Sequence, residues 1–279
     1  MKKLSVLLTA FAVMVSCSEW DNDIYKPQPV PPELAPAVDS KGQLYNMGFD
    51  SWSSSGDCYA DNASQEQKRV WASASSATKS FCGPICSQES EFVAIQGPGE
   101  SAVKLETKYI DSEILFFRIT KLASGNMFTG QMGDVDYLNQ NAKLKWGIPF
   151  NRRPVALEGY ACYRPVAIDV ADDQHKNLIG VNDSAHVFVL LTDWDEQFIV
   201  DPAANSFVDI DNDPHIIGYG KKGYRNYMQD YEKFTINIDY RNSRTPKYVV
   251  IVASSSAYGD YFTGGNGSTF YLDELKFLY

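Results

Sequence analysis

Alternating apolar and polar residues recur along the chain and predict a fold built from β-strands. Residues 102–109 and 234–240 follow this period of two, which is typical of strands with one buried face. Residues 185–191 and 247–253 are compact runs rich in β-branched side chains, and they predict strands buried inside a sheet. Residues 269–277 predict one more strand near the end of the sequence.

Turn signals separate these segments. Small and polar turn residues cluster at 97–99, 124–126, 211–214 and 264–267. Helical periodicity is scarce, and a turn or two near residues 226–231 is the sole helix expected. Many short strands with frequent turns favour an all-β sandwich or jelly roll. Without a fixed-period repeat or an interior linker, the pattern favours one domain.

The N-terminus combines a basic start with an apolar run that ends at a cysteine. Lys2 and Lys3 precede residues 4–15, a run with the length of a signal segment and too short to cross a bilayer. The run ends at Ser16 and Cys17, which resemble a lipobox, the motif whose cysteine receives a diacylglycerol. We therefore expect residues 1–16 to be a signal peptide and Cys17 to carry a lipid anchor with fatty acids such as palmitate.

The segment after Cys17 is acidic and then rich in proline. Glu19, Asp21 and Asp23 resemble the export signal that sends some gram-negative lipoproteins to the outer surface, so we expect an outer-membrane protein displayed on the cell. The prolines that follow favour extended, semi-rigid chain over a packed core. Residues 17–40 are therefore expected to form a tether, and residues 41–279 a folded domain.

The composition narrows the partners. Of 279 residues, 35 are acidic and 25 basic, and loss of the signal removes two more lysines. A chain this acidic is a poor ligand for nucleic acid or anionic lipid, so the lipid anchor is the only membrane contact expected. The remaining cysteines allow two disulfides in three pairings, or unpaired thiols, at Cys58, Cys82, Cys86 and Cys162.

Several motifs resemble known carbohydrate-related domains. Residues 45–52, YNMGFDSW, look like the opening of many jelly-roll carbohydrate-binding modules. Residues 147–150, GIPF, and 157–160, LEGY, resemble the centre of the putative carbohydrate metabolism domain, a family of surface lipoproteins in glycan-degrading bacteria. SSSAYGDYF at 254–262, then GGNGS and YLDEL, resemble its closing segment. The resemblance implies a jelly-roll β-sandwich, similar to galactose-binding domains, in a glycan context, but no catalytic mechanism.

The same resemblance implies a metal site. In jelly-roll sugar-binding modules the first and last strands lie near each other, and a carboxylate from each often helps to hold a structural Ca²⁺. A hard cation of this kind prefers several oxygen ligands. The corresponding residues here are Asp50, where Glu is usual, and Asp273.

Sugar recognition would need aromatic faces flanked by polar groups. Trp71 and Trp194 lie beside polar residues and are expected to be exposed, and Tyr258 and Tyr261 in the turn-rich end are further candidate contacts. Arg152 could bind an acidic sugar or pair with a carboxylate. The two tryptophans inside family-like motifs are expected in the core instead, at positions 52 and 146.

Three functions follow as alternatives. The first is a surface lipoprotein that binds or helps to process extracellular polysaccharides or oligosaccharides, including within an outer-membrane glycan-uptake complex. The second is a glycoside hydrolase or lyase, although no spacing singles out a catalytic pair of carboxylates and the three histidines show no metal-ligand spacing. The third is a structural or adhesive surface protein. No catalytic residue is assigned, and whether the chain is an enzyme stays open.

Overall fold

The computed structural model describes residues 37–114, 117–137 and 141–279. The predicted signal peptide, Cys17 and most of the predicted tether lie outside the described residues. Within them, no helix has the length and apolar character needed to cross a bilayer.

The described residues form sixteen strands and one α-helix, α1, at Ser75–Cys82. The strands are β1 Trp71–Ala72, β2 Cys86–Glu89, β3 Ala102–Glu106, β4 Lys108–Ile114, β5 Phe117–Ala123, β6 Asn126–Asp136, β7 Asn141–Trp146, β8 Ile148–Pro149, β9 Ala156–Arg164, β10 Ala185–Thr192, β11 Phe198–Val200, β12 Ile216–Tyr224, β13 Glu232–Asn237, β14 Asp239–Tyr240, β15 Tyr248–Ser254 and β16 Thr269–Leu278. Single 3₁₀ turns lie at Gln67–Arg69, Lys176–Leu178, Pro202–Ala204 and Gly259–Tyr261.

Two antiparallel sheets pack face to face. The larger sheet has nine strands in the order β11-β7-β6-β15-β10-β12-β14, with β1 added to β6 and β8 to β15. The smaller has five strands in the order β13-β9-β16-β3-β2, and β4 and β5 form a separate hairpin. This arrangement confirms the predicted all-β jelly-roll sandwich.

The nine-stranded sheet is buried on both faces. In β10, Val187 and Val189 point into the core between the sheets, whereas Phe188 and Leu190 belong to a second apolar cluster on the outer face. Strand β15 alternates in the same way. The continuous apolar runs in the sequence are explained by this double burial, because neither face of these strands meets water.

The helix content differs from the sequence prediction. Residues 226–231 form no helix, because Met228 donates its amide to Tyr163 and Tyr231 stacks on Phe92 instead. The sequence pattern does not predict the helix that forms, α1, because its residues SSATKSFC carry no clear apolar stripe. Packing against β4 and β6 holds this helix in place.

The turn between β15 and β16 crosses from one sheet to the other through a buried polar network. Asp183 is fully buried and accepts hydrogen bonds from Ser256 Oγ at 2.5 Å, Gly265 N at 2.8 Å and Ser184 N at 2.7 Å. Burial raises the pKa of Asp183. The network satisfies backbone groups that would otherwise be buried without partners, so it fixes this crossing.

The cysteines of the described chain are unpaired thiols, which answers the alternative left open by the sequence. They are Cys58, Cys82, Cys86 and Cys162.

Candidate functional site

The predicted exposure of two tryptophans is wrong. Trp71 is 4% exposed, and its Nε1 donates to the carbonyl of Tyr45. Trp194 is 7% exposed and donates to Asp213 Oδ2 at 2.8 Å. Neither offers a free face for a ligand in solution.

The other predicted sugar contacts do not form one site. Tyr258 and Tyr261 both pack against His175, with ring centroids 4.9 Å apart in each case, and Tyr261 is 39% exposed. Arg152 is exposed and follows β8, and β8 pairs with the first residues of β15. The two tyrosines instead follow the last residue of β15. Opposite ends of β15 therefore separate Arg152 from the tyrosines.

A pocket that the sequence did not predict lies on the outer face of the nine-stranded sheet. We call it the sheet-face pocket. Its floor comes from Phe128 on β6, Trp146 at the end of β7 and Phe188 on β10, and α1 and the β4–β5 hairpin cover it. Its volume is about 180 Å³, and most of its surface is apolar.

Two residues that line this pocket carry a buried polar atom without a partner. Within the described part of the chain, Trp146 Nε1 and His186 Nδ1 make no hydrogen bond, although the two side chains are only 6% and 9% exposed. Both residues line the pocket. Burial, with a smaller contribution from Lys221, lowers the pKa of His186 to about 3, so its ring is neutral at physiological pH. Unpaired buried polar groups are rare in native proteins, so these atoms point to a ligand.

Asp260 adds a carboxyl group to the same pocket. Asp260 is an exposed residue, but the protein atoms packed around its carboxyl group desolvate it and raise its pKa to about 6 against the opposing charge of Lys221. Near neutral pH the carboxylate can accept a hydrogen bond from a ligand hydroxyl.

The apolar pattern of two strands is a partial signal for this pocket. The runs in β10 and β15 are apolar on both faces, and His186 interrupts the outer face. A sheet strand with two apolar faces requires a second cover. The covering elements, α1 and the hairpin, had no readable signal of their own.

A second candidate site is a cluster of carboxylates near the chain ends. Asp50, Glu100 and Glu274 each offer an oxygen within 4.8 Å of the others. The pKa of Glu274 is raised by burial and by the charges of Asp50 and Glu100. Asp273, predicted as a metal ligand, lies beside this cluster, and its Oδ2 accepts from Ala94 N at 2.7 Å. The structure thus brings Asp50 to Glu274 and Glu100, which sequence reasoning did not name.

Local backbone geometry positions these carboxylates. Asn46 closes the loop 46–51 with two hydrogen bonds to the backbone of Ser51, and both Asn46 and Phe49 adopt left-handed conformations. Phe49 is completely buried, which fixes Asp50 beside it. In β16 the pairing with β9 shifts after Asp273, and Glu274 has a φ of 50°. This irregularity interrupts the alternation of side chains, so consecutive carboxyl residues lie near the cluster.

Comparison with known proteins agrees with the fold. The profile of one family, described as "Putative carbohydrate metabolism domain", matches residues 48–278. No curated protein sequence matches the chain.

Two solved structures share its architecture. A putative glycoside hydrolase from Bacteroides thetaiotaomicron VPI-5482 has a TM-score of 0.54 at 20% identity, over 75% of this chain and 62% of that one. Another from Bacteroides vulgatus ATCC 8482 has a TM-score of 0.55 at 18% identity, over 75% of this chain and 85% of that one. The chain therefore spans less than two thirds of the first protein, and at these identities the similarity shows the fold alone.

Proposed function

We propose that this chain, which belongs to the putative carbohydrate metabolism domain family, binds a glycan in the sheet-face pocket. The observation that carries the proposal is the pair of unpartnered buried atoms, Trp146 Nε1 and His186 Nδ1, on two residues that line an aromatic pocket. Family membership supports a carbohydrate ligand, and the pocket is the binding site that we propose for it.

A sugar fits the chemistry of these atoms. A hydroxyl group both donates and accepts hydrogen bonds, so it can accept from Trp146 Nε1 and pair with the neutral ring of His186. Each buried group without a partner costs about 1–3 kcal/mol in the free protein. A ligand that supplies the missing partners recovers that free energy. The aromatic rings of Phe128 and Phe188 can pack against the C–H groups on one face of the sugar ring.

The volume favours a single sugar unit. One enclosed water needs about 10–15 Å³, so a cavity of about 180 Å³ has room for roughly 12–18 heavy atoms. This is the size of one hexose. We infer that the pocket takes the end of a chain or a side branch rather than a long internal stretch.

The full chain on a glycan array, followed by calorimetry, tests the proposal. We expect at least one microbial, plant or host glycan to bind, and the absence of binding to any of them would overturn it. Products should be analysed as well, because Asp136 and Asp260 both line the pocket. Release of reducing ends, abolished in Asp260→Asn, would favour the glycoside hydrolase alternative over simple binding.

The location of the protein is part of the proposal. We infer that Cys17 is lipidated and anchors the domain to the outer membrane, facing outwards, where a glycan-uptake complex would be its partner. The lipobox-like sequence and the acidic residues after Cys17 support this. Incorporation of labelled palmitate into the intact chain but not into Cys17→Ser, with protease sensitivity on whole cells, would test it.

We also propose that the carboxylate cluster holds a structural Ca²⁺. Asp50, Glu100 and Glu274 fit such an ion because they offer hard oxygen ligands close together, and their charges repel one another without it. An ion there would tie the loop 46–51 to β16, where Leu275 N already donates to Met47 O at 2.9 Å.

A further inference from the structure

The cover of the sheet-face pocket is mainly hydrocarbon, and it includes Lys121 on β5, whose Nζ lies 4.0 Å from the centroid of the Phe262 ring. Helix α1 contributes Phe81, and the β4–β5 hairpin contributes Ile110, Ile119 and Leu122. The three hairpin side chains are buried, and Phe81 is partly exposed. A ligand in the pocket therefore meets an apolar wall opposite the sheet, which we call the cover wall.

Many of the polar side chains that line the pocket are already engaged with protein. Ser124 Oγ and Ser254 Oγ bond to each other at 2.7 Å. Asn126 accepts from the amide of Ala74, and Thr78 donates to the carbonyl of Ala74. These side chains line the pocket, but their hydrogen bonds are already made to protein atoms.

Among the described residues of the pocket, the buried polar atoms without a protein partner belong to Trp146 and His186 on the sheet, and Asp260 lies on the 3₁₀ turn that follows β15. Trp146 Nε1 and His186 Nδ1 have no partner in the described chain, and Asp260 faces the pocket. Three such groups can serve roughly two or three hydroxyls of a sugar. The remaining substituents of the bound unit must face the cover wall.

A fully hydroxylated hexose suits this pocket poorly. A hydroxyl buried against Ile119 and Leu122 would lose its bonds to water without replacement, and this loss opposes binding. A methyl group at the same place gains burial instead. The distribution of polar atoms thus discriminates between a sugar with an apolar substituent and one without.

We propose that the bound sugar unit carries an apolar substituent, a methyl group as in a 6-deoxyhexose or an acetyl group, which packs against the cover wall. This inference rests on the proposed glycan binding and names the class of sugar. A hydrophobic pocket typically separates ligands that differ by one small group by roughly 10- to 100-fold, and we expect a preference of this size.

Calorimetry on the full chain with matched pairs of methyl glycosides tests the inference. One pair differs only at C6, as 6-deoxy against 6-hydroxy sugar, and the other compares an N-acetyl sugar with its 2-hydroxy parent. We expect the substituted member of at least one pair to bind about tenfold or more tightly. The pair that shows the preference identifies the substituent.

Two variants locate the discrimination. Phe81→Ser should reduce the preference several-fold, because it removes part of the cover wall at a partly exposed position. Ile119→Val removes one methylene from the cover wall and should reduce the preference by about two- to fourfold. This milder variant tests the inference if Phe81→Ser does not fold. Tyr227→Ser changes an exposed aromatic residue outside the pocket and should leave the preference unchanged.

The outcomes separate the two proposals. If no glycan binds at all, the proposed function fails. If glycans bind but the hydroxylated parents bind as tightly as the substituted sugars, the proposed function stands and this inference is overturned. A preference that persists unchanged in both folded wall variants also overturns it.

Discussion

Replacing Trp146 with Phe should weaken ligand binding while sparing the stability of the free protein. The indole N–H of Trp146 has no partner in the described chain, whereas that of Trp194 donates to Asp213 Oδ2 at 2.8 Å. The two residues are 6% and 7% exposed and both belong to the outer-face apolar cluster. Trp194→Phe is therefore a closely matched control.

The magnitudes follow from the hydrogen bonds. The loss of buried ring surface is similar in the two variants and largely cancels in their comparison. Trp194→Phe also loses a bond to a carboxylate, worth about 1.5–3 kcal/mol, while Trp146→Phe removes an unpaired donor whose burial costs about 1–3 kcal/mol. Trp194→Phe should thus be less stable than Trp146→Phe by about 2.5–6 kcal/mol.

Urea unfolding followed by circular dichroism gives the stability, and calorimetry with a bound glycan gives the affinity. Trp146→Phe should weaken binding by roughly two- to tenfold, the loss of one neutral hydrogen bond, and Trp194→Phe should leave binding nearly unchanged. Equal destabilisation by the two substitutions would refute the reasoning, because it would mean that the Trp146 N–H already has a partner in the free protein.

Three further outcomes are expected. Because burial raises the pKa of Asp260 to about 6, its carboxylate becomes protonated as pH falls through that value. The affinity for glycan should then decline by up to about tenfold per pH unit. Calorimetric titrations between pH 5 and 8 should show this dependence in the wild type and not in Asp260→Asn. Asp183→Ala removes three hydrogen bonds from the buried crossing and should lower the free energy of unfolding by about 2–4 kcal/mol, against less than about 0.5 kcal/mol for the exposed Asp173→Ala. Millimolar CaCl₂ should raise the melting temperature of the wild type, and MgCl₂ should raise it less. Glu274→Gln should reduce the response to CaCl₂. An unchanged melting temperature in the wild type would contradict the cation site.

The sequence predicts the strands well where one physical rule dominates. Strands β10, β13, β15 and β16 carry strong apolar patterns, and their positions follow from burial alone. Helix α1 obeys no such rule: eight residues without an apolar stripe cannot form a stable helix in isolation, and contacts from distant strands hold it.

The misplaced tryptophans show why neighbouring residues mislead. Asp193 and Asp195 flank Trp194 and made it look exposed, but adjacent residues in extended chain point to opposite sides. Asp193 pairs with Arg244 and Asp195 pairs with Lys247, whereas Trp194 turns inwards. A polar neighbour at i±1 is therefore compatible with burial.

The two candidate sites belong to different sheets, and this separation makes their roles independent. The carboxylate cluster joins the loop 46–51 to β16 in the five-stranded sheet, so an ion there would strengthen the sandwich itself. The sheet-face pocket lies on the outer face of the other sheet, and its shape depends on α1 and the hairpin rather than on the contact between sheets. Removing Ca²⁺ should therefore lower the melting temperature with little change in affinity for glycan, whereas changes in the cover wall should alter specificity with little change in the response to Ca²⁺.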